Sequence, residues 1–513
     1  MPSDVAIRKT VGHVFIGLSA IFVFWISITY CYSTKYWLIG SDPTYAYLLN
    51  GLNIATLHGV GHTDHPGTVL QILCAILLRI FYFFAPDASA TTITQSVLTN
   101  PEWYLKNIYA SIFVLQSVIL AAVAAWVWAS FNNAALLSVI LGGLFVSPQV
   151  ISIQASALRP EILIPLLLFL LTLVTLKRWR EDTLNPPVPS RSLAWSAGTL
   201  TGLALFTKVT CFPIFCVPFF FWKDKKSKWH YLAGFACIAF MCLLPVWKSL
   251  GGTIKWFLDL ALREGRYGSG LATVLSPERF CANMLTIFSS NISVMSVLAL
   301  TFVGLFILRK YRYFFVWRIS VFYIFSIVFI IILVAKHYAQ HYLLAIYMPV
   351  FFIPFLYASE NKNSIKIVSC VIYIIFIFLS ISELYNTIME RNKETSGTFY
   401  SYSENMFDNK IIVDSYNSCT LTYALSFGND YAKKRYGKLL QSIYPYSFSY
   451  NIWDKKFYHF GESVSFESII SSGQSIMIRG THLEDNYADH LILGKKISSF
   501  PEGDVIYELL GKK

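Results

Sequence analysis

RKTVGHVFIGLSAIFVFWISITYCY, residues 8–32, decides the fold class. The basic pair Arg8-Lys9 precedes a run from Val11 to Tyr32 that contains no Asp, Glu, Lys or Arg. A helix of about 20 apolar residues is what crosses a bilayer's hydrocarbon core. No small-residue cleavage site follows, so the run reads as a retained first span and not as a signal peptide. The basic flank orients its N-terminus to the cytoplasm.

Working outward, the whole chain of 513 residues carries the same signature: 55% hydrophobic, 17% aromatic and only 14% charged. Soluble domains hold about 25% charged residues, which excludes a string of soluble domains. Further apolar runs lie at 67–85, 107–131, 134–151, 160–176, 192–207, 209–222, 229–247, 292–308, 317–335, 341–357 and 366–384. After Tyr385 the composition turns polar and rich in Ser, Tyr and Asn, which marks a boundary near residue 390.

The net charge of +12 invites a nucleic-acid reading, and its distribution removes it. Residues 391–513 hold 14 Lys+Arg and 14 Asp+Glu, so the excess, 27 against 15, belongs to residues 1–390. Basic residues in a membrane protein are retained on the cytoplasmic side. Four clusters belong there: Lys177/Arg178/Arg180/Arg191, Lys223/Lys225/Lys226/Lys228, Arg309/Lys310/Arg312/Arg318 and Lys362/Lys366. All four share a side only if one early run does not cross. The weakest run is 67–85, which opens at Pro66-Gly67 and carries Arg79; it is expected as an amphipathic interfacial helix. The expectation is a polytopic α-helical membrane protein with about 11 spans in residues 1–390. Outer interfacial helices fall at about 42–58 and 67–85, followed by an extracytoplasmic α/β domain over 391–513. Within that domain Ile411–Asp414, Ser475–Ile478 and Val505–Leu510 read as strands, and Thr420–Lys438 as a helix broken at Gly428. Eight of nine cysteines lie before residue 391; Cys419 alone falls in the tail, which therefore closes no internal disulfide. No internal repeat, phosphate loop or nucleophile elbow is visible.

Polar residues at the outer helix ends supply the candidate chemistry. Asp42 in Gly40-Ser41-Asp42-Pro43-Thr44-Tyr45 is either the cap of a helix opening at Pro43 or an acid–base group. His58 and Gly61-His62-Thr63-Asp64-His65-Pro66-Gly67 place histidines and a carboxylate together. That set fits hydrogen bonding to a polar substrate or loop structure better than zinc or manganese, because no standard ligand spacing is present. Arg159-Pro160-Glu161, Lys208, Lys336-His337 and His341-Tyr342 gather cations at the outer face. Ionisable residues at such depth are costly and mark sites, unless they snorkel to headgroups. Arg and Lys could hold a lipid phosphate as leaving group while Asp42 deprotonates an attacking hydroxyl. Arg263-Glu264-Gly265-Arg266-Tyr267-Gly268-Ser269-Gly270, in the long outer loop 248–291, is either a connector or a lid whose arginines close over a phosphate or sugar.

A first span, an outer aspartate at Asp42 and an interfacial helix opening at His65-Pro66-Gly67 resemble the GT-C superfamily of membrane glycosyltransferases. That superfamily includes protein O-mannosyltransferases and aminoarabinose lipid A transferases. Arg159-Pro160-Glu161, Gly202–Lys208 and His341-Tyr342-Leu343-Leu344 look like its recurring segments, and the likeness covers roughly residues 10–360. It implies transfer of a sugar from a polyprenyl-phosphate donor to a glycan, lipid or protein acceptor outside a bacterial cytoplasmic membrane. The acceptor class it suggests is a cell-surface glycan such as lipopolysaccharide O-antigen. Asp42 would be the base, and Arg159, Lys208, Lys336, His337 and His341 would hold the donor phosphate. Tyr45, His62, Asp64, His65, Arg263, Arg266 and Tyr267 would contact substrate. The chain departs from the pattern in having one carboxylate where many members have two, and His-Pro-Gly for His-Pro-Pro. A lone carboxylate favours a metal-independent mechanism, so no cofactor is expected; the mechanism is expected to be inverting, and the charge distribution leaves no nucleic-acid partner expected. The rival readings are a transporter or flippase of lipid-linked sugars, a non-catalytic assembly subunit, and a lipid-to-lipid polymerase or ligase. A transporter would need a polar path and usually two related halves.

Overall fold

A computed structural model describes residues 13–14, 16–18, 21, 44–61, 67–131, 158–183, 190–264, 271–308, 314–347, 349–350, 353, 410–415, 433–451, 454–471, 475–481, 491–499 and 504–512. It is mostly helical, with a small C-terminal sheet region. The helical part contains α1 (Thr44–Ala55), α2 (Thr68–Phe84), α3 (Ile93–Thr99), α4 (Pro101–Phe131), α5 (Ile164–Thr183) and α6 (Arg191–Thr207). It continues with α7 (Lys225–Val246), α8 (Leu250–Leu262), α9 (Pro277–Ser290), α10 (Ile292–Leu308) and α11 (Phe314–Lys336). Caps fix several starts. Ser190 accepts from the Leu193 amide, Asp224 accepts from the Ser227 amide, and Thr92 with Gln95 forms a reciprocal capping box.

Among the described residues, four helices are long and apolar enough to cross a membrane: Pro101–Phe131, Pro160–Asp182, Lys225–Leu262 and Val316–Lys336. The expected spans at 134–151 and 366–384 lie wholly outside the described residues, as do most of 11–32 and part of 341–357. The run at 209–222 departs from a regular span. Pro213 and Pro218 break it into 3-10 turns at Val209–Cys211 and Val217–Phe221 around one short α turn.

That broken segment still retraces a full helix. α6 and α7 run parallel: Gly198 faces the Tyr231 carbonyl and Gly202 faces Ile238, so neighbours climb in step. A Cβ at Gly198 would overlap the Tyr231 carbonyl, and one at Gly234 would overlap the Trp195 carbonyl. The pair Gly198-x-x-x-Gly202 thus lets two backbones touch, the close approach that membrane helices use. Two parallel neighbours require a return between them. Residues 208–222 make it in about the 25 Å of α6, aided by the longer rise of 3-10 turns. α4 and α5 are likewise parallel: Gln116 donates to the Ile162 carbonyl, and a register further along Phe131 stacks on Trp179 at 5.1 Å.

The two ends of the bundle differ in chemistry. At one end Arg178 pairs with Asp182 (3.1 Å), Arg318 lies within electrostatic reach of both and donates to the Phe221 carbonyl (3.4 Å), and Arg191 lies near Asp224. Members of two basic clusters, with Asp224 from the stretch of a third, thereby share this end. The opposite end carries Glu161, Lys208 and His341, the 58–61 loop and α1.

Eleven of the twelve residues of α1, within the expected interfacial helix at about 42–58, are buried. Its polar groups are satisfied by other segments. Thr44 accepts from the Leu158 amide (3.0 Å), and Asn50 accepts from the Gly61 amide (3.0 Å). Asn53 accepts from the Tyr436 hydroxyl (2.9 Å) and from Arg435 (3.2 Å). The last two belong to α12 (Lys433–Ile443), so the C-terminal domain covers one face of α1. Tyr436, Leu440 and Phe460 join one core with α1, α2, the first half of α4 and Leu158–Leu163.

The C-terminal domain is a seven-stranded mixed sheet of order β4-β3-β2-β1-β5-β7-β6. Its strands are β1 (Lys410–Asp414), β2 (Ser447–Asn451), β3 (Lys456–His459), β4 (Glu462–Val464), β5 (Ser475–Thr481), β6 (Leu491–Ser499) and β7 (Asp504–Lys512). Central β1 runs parallel to β2 and β5, and antiparallel pairs flank that trio. All three expected strands form. Of the expected helix Thr420–Lys438, residues 433–438 lie within α12, and 416–432 lie outside the described residues. A short α13 (Phe466–Ile470), capped by Ser465, precedes β5.

Candidate functional site

The polar cluster at the α5 N-terminal end is assembled from three separate stretches of chain. Arg159 precedes a 3-10 turn, Pro160–Leu163, that carries Glu161 into the core. Lys208 ends α6, which runs antiparallel to α5, so the two charges arrive at the same height. Both side chains are almost fully enclosed, at 3% and 2% exposure, and the Lys208 ammonium is hydrogen-bonded to Glu161 Oε1. Such a pair costs desolvation that is recovered only when both partners stay in place. His341, on the 3-10 turn Gln340–Leu343, brings Nε2 within 3.5 Å of the same Glu161 oxygen. Lys208 Nζ also lies 4.3 Å from the centre of the Tyr342 ring, a cation–π contact. Arg159 is close enough to act electrostatically on both Glu161 and Lys208. The cluster therefore holds Arg159, Lys208 and His341 around one carboxylate.

Lys336 and His337, expected beside these groups, are engaged elsewhere. Lys336 Nζ donates to the carbonyls of Leu260 (2.7 Å) and Ala261 (2.5 Å), and His337 Nε2 donates to Leu260 (3.1 Å). Those carbonyls end α8, where helix oxygens lack intrahelical partners and a cation is favoured. Burial, reinforced by the neighbouring Lys336 charge and opposed by the Leu260 hydrogen bond, lowers the His337 pKa below its ordinary value. The pair thus fastens α8 to α11.

Tyr45 is buried on α1 and donates to Glu102 Oε1 (2.7 Å), away from Lys208. Arg263 is exposed and pairs with Asp259 (3.2 Å). Asp42, His62, Asp64, His65, Arg266 and Tyr267 lie outside the described residues. The long loop 248–291 contains two helices, α8 and α9, with 265–270 outside the described residues. Among the described residues no group of three or more His, Cys, Asp and Glu side chains could hold a metal ion.

Glu161 and Tyr342 were given no role on sequence grounds. The signal that could have found Glu161 is its spacing: an acid opens one apolar run at 160, and a lone lysine closes the next at 208. Antiparallel neighbours joined by a short turn must bring those two positions to the same end. In comparisons with protein-family models, curated proteins and solved structures, nothing matches this chain.

Proposed function

We propose that this chain is an integral-membrane glycosyltransferase that moves a sugar from a polyprenyl-phosphate donor to an extracytoplasmic acceptor, a cell-surface glycan such as lipopolysaccharide O-antigen. The observation that carries the reading is the buried convergence of Arg159, Lys208, His341 and Tyr342 on Glu161, at the bundle end away from the basic clusters. Asp42 removes the proton from the acceptor hydroxyl, whose oxygen attacks the sugar's anomeric carbon. The carbon–oxygen bond to the phosphate breaks and the electron pair leaves with it. Arg159, Lys208 and His341 stabilise that departing charge. Lys336 and His337 drop out of the phosphate set because they cap α8.

Topology supports the same reading. Basic clusters at one end fit a cytoplasmic face, and the C-terminal domain docks at the other, which agrees with a periplasmic domain on a bacterial inner membrane. Eleven spans follow if the runs at 11–32, 134–151 and 366–384 cross; 134–151 falls in the interval where parallel α4 and α5 require a return.

The test is transfer of labelled sugar from a polyprenyl-phosphate donor in proteoliposomes. Asp42→Asn and Arg159→Gln are each expected to lower the rate by at least about a hundredfold, the scale of losing a catalytic base or a charge-stabilising donor. Unchanged transfer by correctly inserted variants would refute the assignment.

A further inference from the structure

α8 carries two exposed faces of opposite character. Ile254, Leu258 and Leu262 recur every fourth residue and are 51%, 54% and 54% exposed. Around the helix from them lie exposed Lys255 and the Asp259–Arg263 ion pair. The third face, with Thr253, Trp256, Phe257 and Leu260, is partly buried. A helix with one face packed, one charged and one bare and apolar sits where hydrocarbon meets water.

The bare stripe does not begin at α8. On α7 it is already present as Phe240 and Leu244, 65% and 60% exposed, and it passes through Trp247 at the junction. Pro245 and the 3-10 turn Trp247–Ser249 bend the chain there, and Val60 holds the bend: its amide donates to the Pro245 carbonyl, and the Ser249 hydroxyl donates to its carbonyl. The far end of α8 is tied down by Lys336 and His337. The helix is thus fixed at both ends with its apolar stripe left outward.

From this geometry we infer that α8 is an in-plane helix of the outer leaflet, whose Ile254–Leu258–Leu262 stripe binds the headgroup–acyl boundary of the bilayer. The inference rests on the reading of residues 1–390 as membrane-spanning. The occupant is lipid because the stripe continues the apolar surface of a helix long enough to cross a membrane, with a tryptophan at the bend. Lys336 and His337 are positioning residues for this helix. Through it they set where residues 263–270 begin.

Photo-crosslinking in native membranes tests the inference, with p-benzoyl-phenylalanine placed singly at Leu244, Leu258 or Asp259 in the full chain. Lipid adducts are expected at Leu244 and at Leu258 in similar yield, and about tenfold fewer at Asp259 on the charged face. Adducts at Leu244 with none at Leu258, equal yields at Leu258 and Asp259, or a crosslink from Leu258 to a second copy of the chain would each overturn the proposal. Absence of adducts at both leucines would instead overturn the membrane-spanning reading beneath it.

Discussion

Glu161→Gln probes the cluster most directly. The carboxylate is 3% exposed and its partner Lys208 2%, so removing the negative charge leaves an ammonium without water or counter-ion. Arg159 nearby aggravates this, since it repels Lys208. Breaking one side of a buried pair costs about 3–5 kcal/mol, a factor of about 10²–10⁴ in the folded equilibrium. Lys208→Gln should cost a similar amount by stranding Glu161, softened by His341 at 3.5 Å. The double variant removes both charges, so it should cost less than either single change, because two neutral amides need only hydrogen bonds. Equilibrium unfolding of the detergent-solubilised protein by a denaturing detergent, followed by circular dichroism, gives the cycle. Coupling of several kcal/mol is expected. Additive single effects, or a loss below about 1 kcal/mol for Glu161→Gln, would show that the pair does not hold this end of the bundle together.

Three further outcomes follow from other contacts. Gly198→Ala forces α6 and α7 apart at the Tyr231 carbonyl and should destabilise by about 1–3 kcal/mol, whereas Gly251→Ala, which meets nothing within 4 Å on α8, should be neutral or stabilising by up to about 1 kcal/mol in the same unfolding assay. Tyr436→Phe removes one of the donors to buried Asn53 and should loosen the C-terminal domain by about 1–2 kcal/mol; limited proteolysis between the two domains should then quicken by roughly 5–30-fold. The Tyr444 phenol donates to the Leu98 carbonyl (2.8 Å), and burial, with the Glu102 carboxylate second, pushes its pKa from 10.0 to about 12. A folded-state value above the unfolded one stabilises the docked domain fully below pH 10 and is lost as pH rises through about 12. Protease resistance should fall across that window in the parent and less so in Tyr444→Phe.

Residues that act through composition were legible without coordinates. The 14% charge content, the runs free of ionisable groups and the clustering of Lys and Arg pointed to a mostly helical chain with long apolar helices and a polar tail. These are one-dimensional properties: transfer to hydrocarbon depends on what a segment contains, whatever its neighbours. Period and turn chemistry likewise marked β1, β5 and β7, whose buried Ile and Val declare a central sheet. Arg159, Lys208 and His341 were visible as ionisable groups at helix ends for the same reason.

Which of those groups meet was decided by packing. Lys208 and Lys336 look alike in sequence, each a lysine at the end of an apolar run. One is enclosed with Glu161 because α6 lies antiparallel to α5; the other caps α8 because that helix ends beside it. The burial of α1 depended on α12, some 380 residues further along, since only a docked domain supplies Tyr436 and Arg435 to Asn53. A sequence fixes how much each residue gains by leaving water, whereas the partner that replaces the water is chosen by the three-dimensional path of the chain.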